Sequence, residues 1–272
     1  MINLLLSEFK RLWARRMTRF FPSILVGLIG IGIAIAYFVI SNDDAVSPDF
    51  LVDIAGGVGA QELFGPLGTL LPVMAFVIGA SSIGADIRTG MLEQILTWEP
   101  RRLRFLGART LSGVVAVALI AMIVVAVFVA LIFLLTALTG SVDGVPGELW
   151  ANVATGTVRS GLAASLFFVI GLGFTLLVNN SVGSIVGFVI YVFMIENFLV
   201  SAFLPRVAVY LPVTNADAFA RGADVQRIEG SVFSDFDLID QHSYLVAGLV
   251  LTVWATLALV ASAVIFKRRD VA

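Results

Sequence analysis

Long apolar runs, broken by short polar punctuation, dominate the chain. A helix needs about 20 residues to cross a hydrocarbon core of about 30 Å. Six runs approach or exceed that length: 20–40, 67–84, 110–138, 158–178, 182–204 and 244–266. The third is longer than a bilayer is thick and is expected to tilt or protrude. Only Asn179-Asn180-Ser181 separates the fourth from the fifth, a polar turn signal that predicts a tight helical hairpin. The first run contains Ala34-Ile35-Ala36, the small-residue form of a cleavage site, yet it is already long before that point and continues through Val39 and Ile40. An uncleaved anchor is the expectation.

Three stretches are neither spans nor plain loops. In residues 1–19, Leu5, Phe9, Leu12 and Trp13 recur at helical spacing, while Glu8, Arg11, Arg15 and Arg19 take another face. This predicts an amphipathic helix in the membrane interface, its cations turned toward anionic head groups, or simply an anchor for the first span. Between the second and third spans, Ile87, Met91 and Ile95 fall four apart with Leu92 and Leu96 beside them; Arg88, Glu93, Gln94 and Thr97 lie opposite. Glu99-Pro100 ends that pattern, because the residue before a proline is pushed out of the helical region. A short helix over 87–97 is expected, its apolar stripe packed either on the chain's own bundle or bilayer surface, or on a soluble partner. The third stretch, 205–243, is too long for a simple connection and begins with an apolar segment, 205–212. That segment is expected to re-enter the bilayer edge as short helices capping the mouth of the bundle.

Composition sharpens the picture. The chain is 59% apolar and 13% charged, with a mean hydropathy of +1.02. A soluble domain has about 45–50% apolar and about 25% charged residues, so the surplus must face lipid. With no cysteine and a net charge of −2, disorder, a disulfide scaffold and a basic nucleic-acid binder are excluded. The fold class that follows is an all-α polytopic membrane protein, a leader helix at 1–19 followed by one transmembrane domain over 20–272. Basic residues set its expected orientation. The leader, the 87–109 loop and the tail carry 13 of the 17 lysines and arginines. Both termini are therefore expected on the cytoplasmic side of the plasma membrane. Acidic residues crowd the two opposite loops, from Asp43 to Glu62 and from Asp217 to Asp240.

Chemistry is sparse. There is no glycine-rich phosphate loop, so ATP is not expected on this chain, and with one histidine and no cysteine no metal site or thiol nucleophile is expected. The single histidine, His242, sits among polar neighbours just before the last span, with no serine in a convincing nucleophile setting opposite it. Two ionisable residues fall inside spans at similar depth, Arg159 in the fourth and Glu196 in the fifth. An ion pair between them would relieve much of their burial cost, as a structural clasp or as a substrate contact; each could also snorkel separately. Gly183 and Gly187 form a small-x-x-x-small step on the fifth span, a mark of close helix packing.

The order of these parts, leader helix, two spans, cytoplasmic helix, three spans, re-entrant segment and last span, resembles the permease subunits of ABC-2 type (type V) ABC transporters across the whole chain. The most specific stretch runs from Gly84 to Pro100, GADIRTGMLEQILTWEP. It is similar to that family's acidic–x–x–x–Gly–x–Leu–x–x–x–Leu–x–x–x–Pro pattern followed by a basic cluster, with Asp86 where glutamate is usual and Met91 where threonine is common. The segment from Leu204-Pro205 to Leu211-Pro212 and Asn215-Ala216 also resembles the family's re-entrant region. The resemblance implies a coupling helix formed by Ile87, Arg88, Met91, Leu92, Glu93, Ile95 and Leu96, seated on a separate ATPase subunit. It further implies two ATPase copies that bind ATP and magnesium, and a second permease, identical or homologous, with the export path between the two. The cargo would be lipophilic or amphipathic, a slight lean drawn from 21 phenylalanines against 4 tryptophans and 4 tyrosines. An ion-coupled transporter or channel is the alternative. It would call for several midplane ionisable groups or paired broken helices, and only Glu196 stands near that depth.

Overall fold

The computed structural model describes residues 2–42, 61–91, 94, 101–139, 147–200, 203–222, 227–228, 239–240 and 242–268. It is an all-α polytopic fold. Among the described residues, six helices are long and apolar enough to cross a membrane: Arg16–Asn42, Leu67–Arg88, Arg102–Thr139, Leu149–Val178, Ser181–Val200 and Tyr244–Lys267. The chain is therefore a multi-pass membrane protein. We number the helices α1 (Ile2–Ala14), α2 (Arg16–Asn42), α3 (Gln61–Arg88), α4 (Arg102–Thr139), α5 (Gly147–Val178), α6 (Ser181–Ile190, continued by a π-helical segment, Tyr191–Val200), α7 (Pro205–Ala208), α8 (Pro212–Arg221) and α9 (Tyr244–Arg268). Two-residue strands, β1 (Arg227–Ile228) and β2 (Ile239–Asp240), pair antiparallel beyond α8. The first acidic loop, 43–60, and most of the last lie outside the described residues.

Helices α3 and α5 are the inner pair. Of their most apolar stretches 72% and 67% is buried, against 11% for α2 and 22% each for α6 with its π segment and for α9. Two glycines make the crossing possible. A Cβ at Gly79 would strike the Phe168 carbonyl and lie 3.0 Å from Leu172 N; one at Gly171 would strike the Phe76 carbonyl and lie 2.9 Å from Phe76 Cα. Backbone thus meets backbone, which is how helices associate when lipid removes the hydrophobic drive between them. Around the crossing, Phe76 stacks on Phe188 with ring centroids 3.7 Å apart, and Phe167 leans on Phe188 at 6.0 Å.

The expected hairpin between the fourth and fifth spans is present. Asn179 adopts a left-handed φ of 58°, which asparagine tolerates, and Asn180 caps α6 by accepting from Val182 N and Gly183 N. Among the described residues the Gly183/Gly187 step makes no close helix contact, since a Cβ at Gly187 would meet none of their atoms within 4 Å. This contrast gives a first expected result. Gly79→Leu should cost about 3 kcal/mol or more, because no rotamer change relieves a clash with backbone. Gly187→Leu should cost less than about 0.5 kcal/mol. Thermal unfolding of the two variants in detergent reads the difference directly, and equal losses would refute this account of the packing.

Candidate functional site

Two constellations of charge are built into the bundle, one at each end. The first lies where α3 ends, and it begins with the spacing of α1. Glu8, Arg11 and Arg15 fall on one helical face, and that face is turned into the protein. Asp86, in the last turn of α3, is buried; its Oδ1 accepts from Arg11 Nη2 and Arg15 Nη2, each at 2.8 Å. Its Oδ2 lies 2.7 Å from Nη1 of Arg109, an equally buried residue of α4. Glu8 reaches Arg109 at 3.5 Å and Arg11 at 3.6 Å. Backbone carbonyls complete the shell: Arg15 donates to Ser81 O at 3.0 Å, and Arg109 donates to Ser82 O. Three guanidinium groups surround two carboxylates, so the hub joins α1, α3 and α4 through charge-assisted bonds in a poorly solvated place.

This corrects the expectation for the leader. Arg11 and Arg15 do not point at head groups, because Asp86 offers a better-placed anion that is already desolvated. The leader's apolar side contributes Leu12 to the core, whereas Trp13 remains half-exposed. A neighbouring contact ties the same end together: Arg102 Nη1 donates to Phe266 O at 3.2 Å, linking the start of α4 to the end of α9.

The stretch expected to be a coupling helix begins differently from the expectation. Ile87 and Arg88 belong to the last turn of α3, Ile87 packed against the core and Arg88 exposed. The break falls at Gly90, whose φ of +66° is the left-handed conformation that ends helices and that glycine adopts without strain. Met91 follows the turn, exposed, with its Sδ 2.8 Å from Arg11 Nη2. Leu92, Glu93, Ile95 and Leu96 lie outside the described residues.

At the opposite end stands α8, a ten-residue helix set against α3, α5 and α9. Asp217 and Arg221 pair one turn apart at 2.9 Å, beside Gly68 and Gly65 of α3. Asn215 is fully buried and donates through Nδ2 to Val209 O and Leu211 O, each at 2.7 Å, which fixes the entry into α8. Just before it, α7 is a single helical turn; Tyr210, two residues beyond its end, meets His242 edge-on at 5.4 Å, and its backbone carbonyl accepts from Trp254 Nε1 at 3.1 Å.

Here the expected partnership of Arg159 and Glu196 is overturned. Glu196 Oε1 accepts from Thr214 N at 2.6 Å and from Thr214 Oγ1 at 3.0 Å, with Val213 and the Tyr191 hydroxyl beside the carboxylate. Val213 and Thr214 are the second and third residues of α8, whose own N-cap, Leu211, has no side-chain cap to offer. Arg159 lies over the Tyr244 ring at 4.4 Å and against Gly222, the left-handed residue that closes α8. The two charges therefore hold opposite ends of one helix, the carboxylate at its positive pole and the guanidinium at its negative pole. A helix of ten residues is about 15 Å long, so the two cannot also hold each other.

Sequence reasoning missed both constellations as constellations. Arg109, a charge several residues inside an apolar helix, and Asp86, the lone acid at the end of α3, were the available signals for the hub. For Glu196 the signal was Leu211-Pro212, a helix start with no capping side chain. Among the described residues no group of three or more His, Cys, Asp and Glu could hold a metal ion. No curated protein matches the chain. A family model described as a protein of unknown function (DUF2705) matches residues 25–272, and the chain belongs to the DUF2705 family.

Proposed function

We propose that the chain is the permease subunit of an ATP-driven ABC-2 type exporter, working as a pair with a second permease and two separate ATPase subunits. In this reading the hub end faces the cytoplasm of a plasma-membrane protein, as the clustering of basic residues there favours. The ATPases carry ATP and magnesium, and the cargo is lipophilic or amphipathic.

The observation that carries the reading is the position of the Asp86 hub. It clamps α1, α3 and α4 together four residues before Gly90, where α3 has ended and Met91 is exposed. A segment hanging on a flexible tether would absorb a push from a partner. One anchored to a crosslinked base passes the push into α3, the best-buried helix, and so toward the path between the two permeases. Rigid-body rocking between inward and outward states is the corresponding motion.

Met91→Asp tests this. The side chain is exposed, so folding should be unchanged; a carboxylate there is either desolvated in an apolar contact or drawn to Arg11 beside it, and both outcomes take the apolar side chain out of a partner's socket. Co-purified ATPase is expected to fall at least tenfold while yield and thermal midpoint stay at wild-type values. Undiminished ATPase capture, or a well-folded wild-type chain that transports with no ATPase present, as an ion-coupled transporter would, refutes the proposal.

A further inference from the structure

A groove of about 440 Å³ opens where the leader meets the first span, between α1, α2 and α4. Its α2 wall is one helical face, with Thr18, Arg19, Pro22, Ser23 and Val26 at spacings of one, three, one and three residues. That wall is about 12 Å long at 1.5 Å per residue. Its chemistry changes along its length. Arg19 and Ser23 lie at the end near α1, with Trp13 of α1 beside them; Val26 on α2 and Ile123 on α4 line it further along. The far part is apolar and is flanked by α2, the least buried of the six long helices.

We propose that this groove is a binding site for one anionic glycerophospholipid, its phosphate on Arg19 and one acyl chain along Val26 and Ile123. Three observations on this molecule support that occupant. The cations of the leader divide their work: Arg11 and Arg15 are bound to Asp86, whereas Arg19, on α2, is exposed and among the described residues donates from Nη2 to Ala14 O at 3.2 Å, and a guanidinium has further donors to offer. The deeper lining is too apolar to hold water, and an empty channel would forfeit its dispersion contacts, so an alkyl chain is the occupant with matching chemistry. Trp13, half-exposed at the mouth, has the amphipathic character of a residue at head-group level. The site goes beyond the transport reading and is independent of any ATPase.

Trp13 supplies the probe. In the full-length chain with Trp98, Trp150 and Trp254 replaced by phenylalanine, Trp13 is the one tryptophan left. The protein is placed in phosphatidylcholine vesicles containing 10% of either dibrominated phosphatidylglycerol or dibrominated phosphatidylcholine. Phosphatidylglycerol is expected to quench Trp13 at least threefold more effectively. Arg19→Gln should abolish that preference, and Val26→Phe, which fills the groove, should reduce quenching by both lipids. Equal quenching by the two lipids, or a preference that survives Arg19→Gln, overturns the proposal. Should the three phenylalanine replacements impair folding, the same comparison is made on the wild-type background by measuring phosphatidylglycerol retained through detergent exchange. About one molecule per chain is expected, falling at least fivefold in Arg19→Gln; unchanged retention overturns it equally.

Discussion

Reversing both intramembrane charges together, as Arg159→Glu with Glu196→Lys, is expected to damage the protein as much as the two single reversals added. Glu196→Lys would set a cation against the N–H groups of Val213 and Thr214 at the positive end of α8, inside a fully buried site. Misplacing a buried charge in this way costs about 3–5 kcal/mol. Arg159→Glu would set an anion at the opposite, negative end beside Gly222 and remove the cation over Tyr244, a loss of about 1–2 kcal/mol. Because each charge answers to its own end of the helix, the coupling between the two sites should fall within about 0.5 kcal/mol of zero. Glu196→Gln keeps the shape and one acceptor oxygen, so about 1 kcal/mol is expected. Unfolding of the four variants by denaturant, followed by intrinsic fluorescence, gives the cycle. Recovery of more than 1 kcal/mol in the double variant would mean that the two residues do interact.

The larger effect belongs to the opposite end. Asp86→Asn removes the anion that three arginines share and leaves Glu8, which reaches Arg11 and Arg109. Breaking a buried ion pair by deleting one partner costs about 3–5 kcal/mol, and here three pairs lose the same partner. Arg109→Gln should be nearly as severe, since Arg109 is buried and contacts Asp86, Glu8 and the Ser82 carbonyl. Arg11→Gln should cost below about 1 kcal/mol, because Arg11 is a quarter exposed and its ion pairs are partly screened. The changes also differ in what they release. With Asp86 gone the leader loses its tether, so trypsin should cut after Arg15 and Arg16 well before global unfolding. If Asp86→Asn unfolds at the wild-type midpoint with the leader still protected, the hub is not what holds these helices together.

Much of this architecture was legible in the amino-acid order, and the reasons differ by element. The six spans follow from apolar length, a signal that no tertiary context overrides, and the Asn179-Asn180 turn from a side chain that caps its own helix. Ends were less legible. The second span runs on to Arg88 rather than stopping near Gly84, because Gly84 is packed against Ser181 and helical, and the helix stops only where Gly90 takes a positive φ. Partners were least legible of all. Arg11 and Arg15 look like interfacial cations on a helical wheel, and only the return of α3 at residue 86 brings them a carboxylate. Equal depth in adjacent spans suggested pairing for Arg159 and Glu196, yet depth does not say which way a side chain faces.

The π-helical register of Tyr191–Val200 has a mechanical meaning. Hydrogen bonding from i to i+5 brings residues five apart nearly into line, so that Tyr191 and Glu196 share one side. In α-helical register the same two positions would lie about 140° apart around the axis. Winding the segment to that tighter turn would swing the carboxylate away from either Tyr191 or Thr214, since it could no longer meet both. The fastening of α8 at Glu196 thus depends on the pitch of the helix that carries the carboxylate.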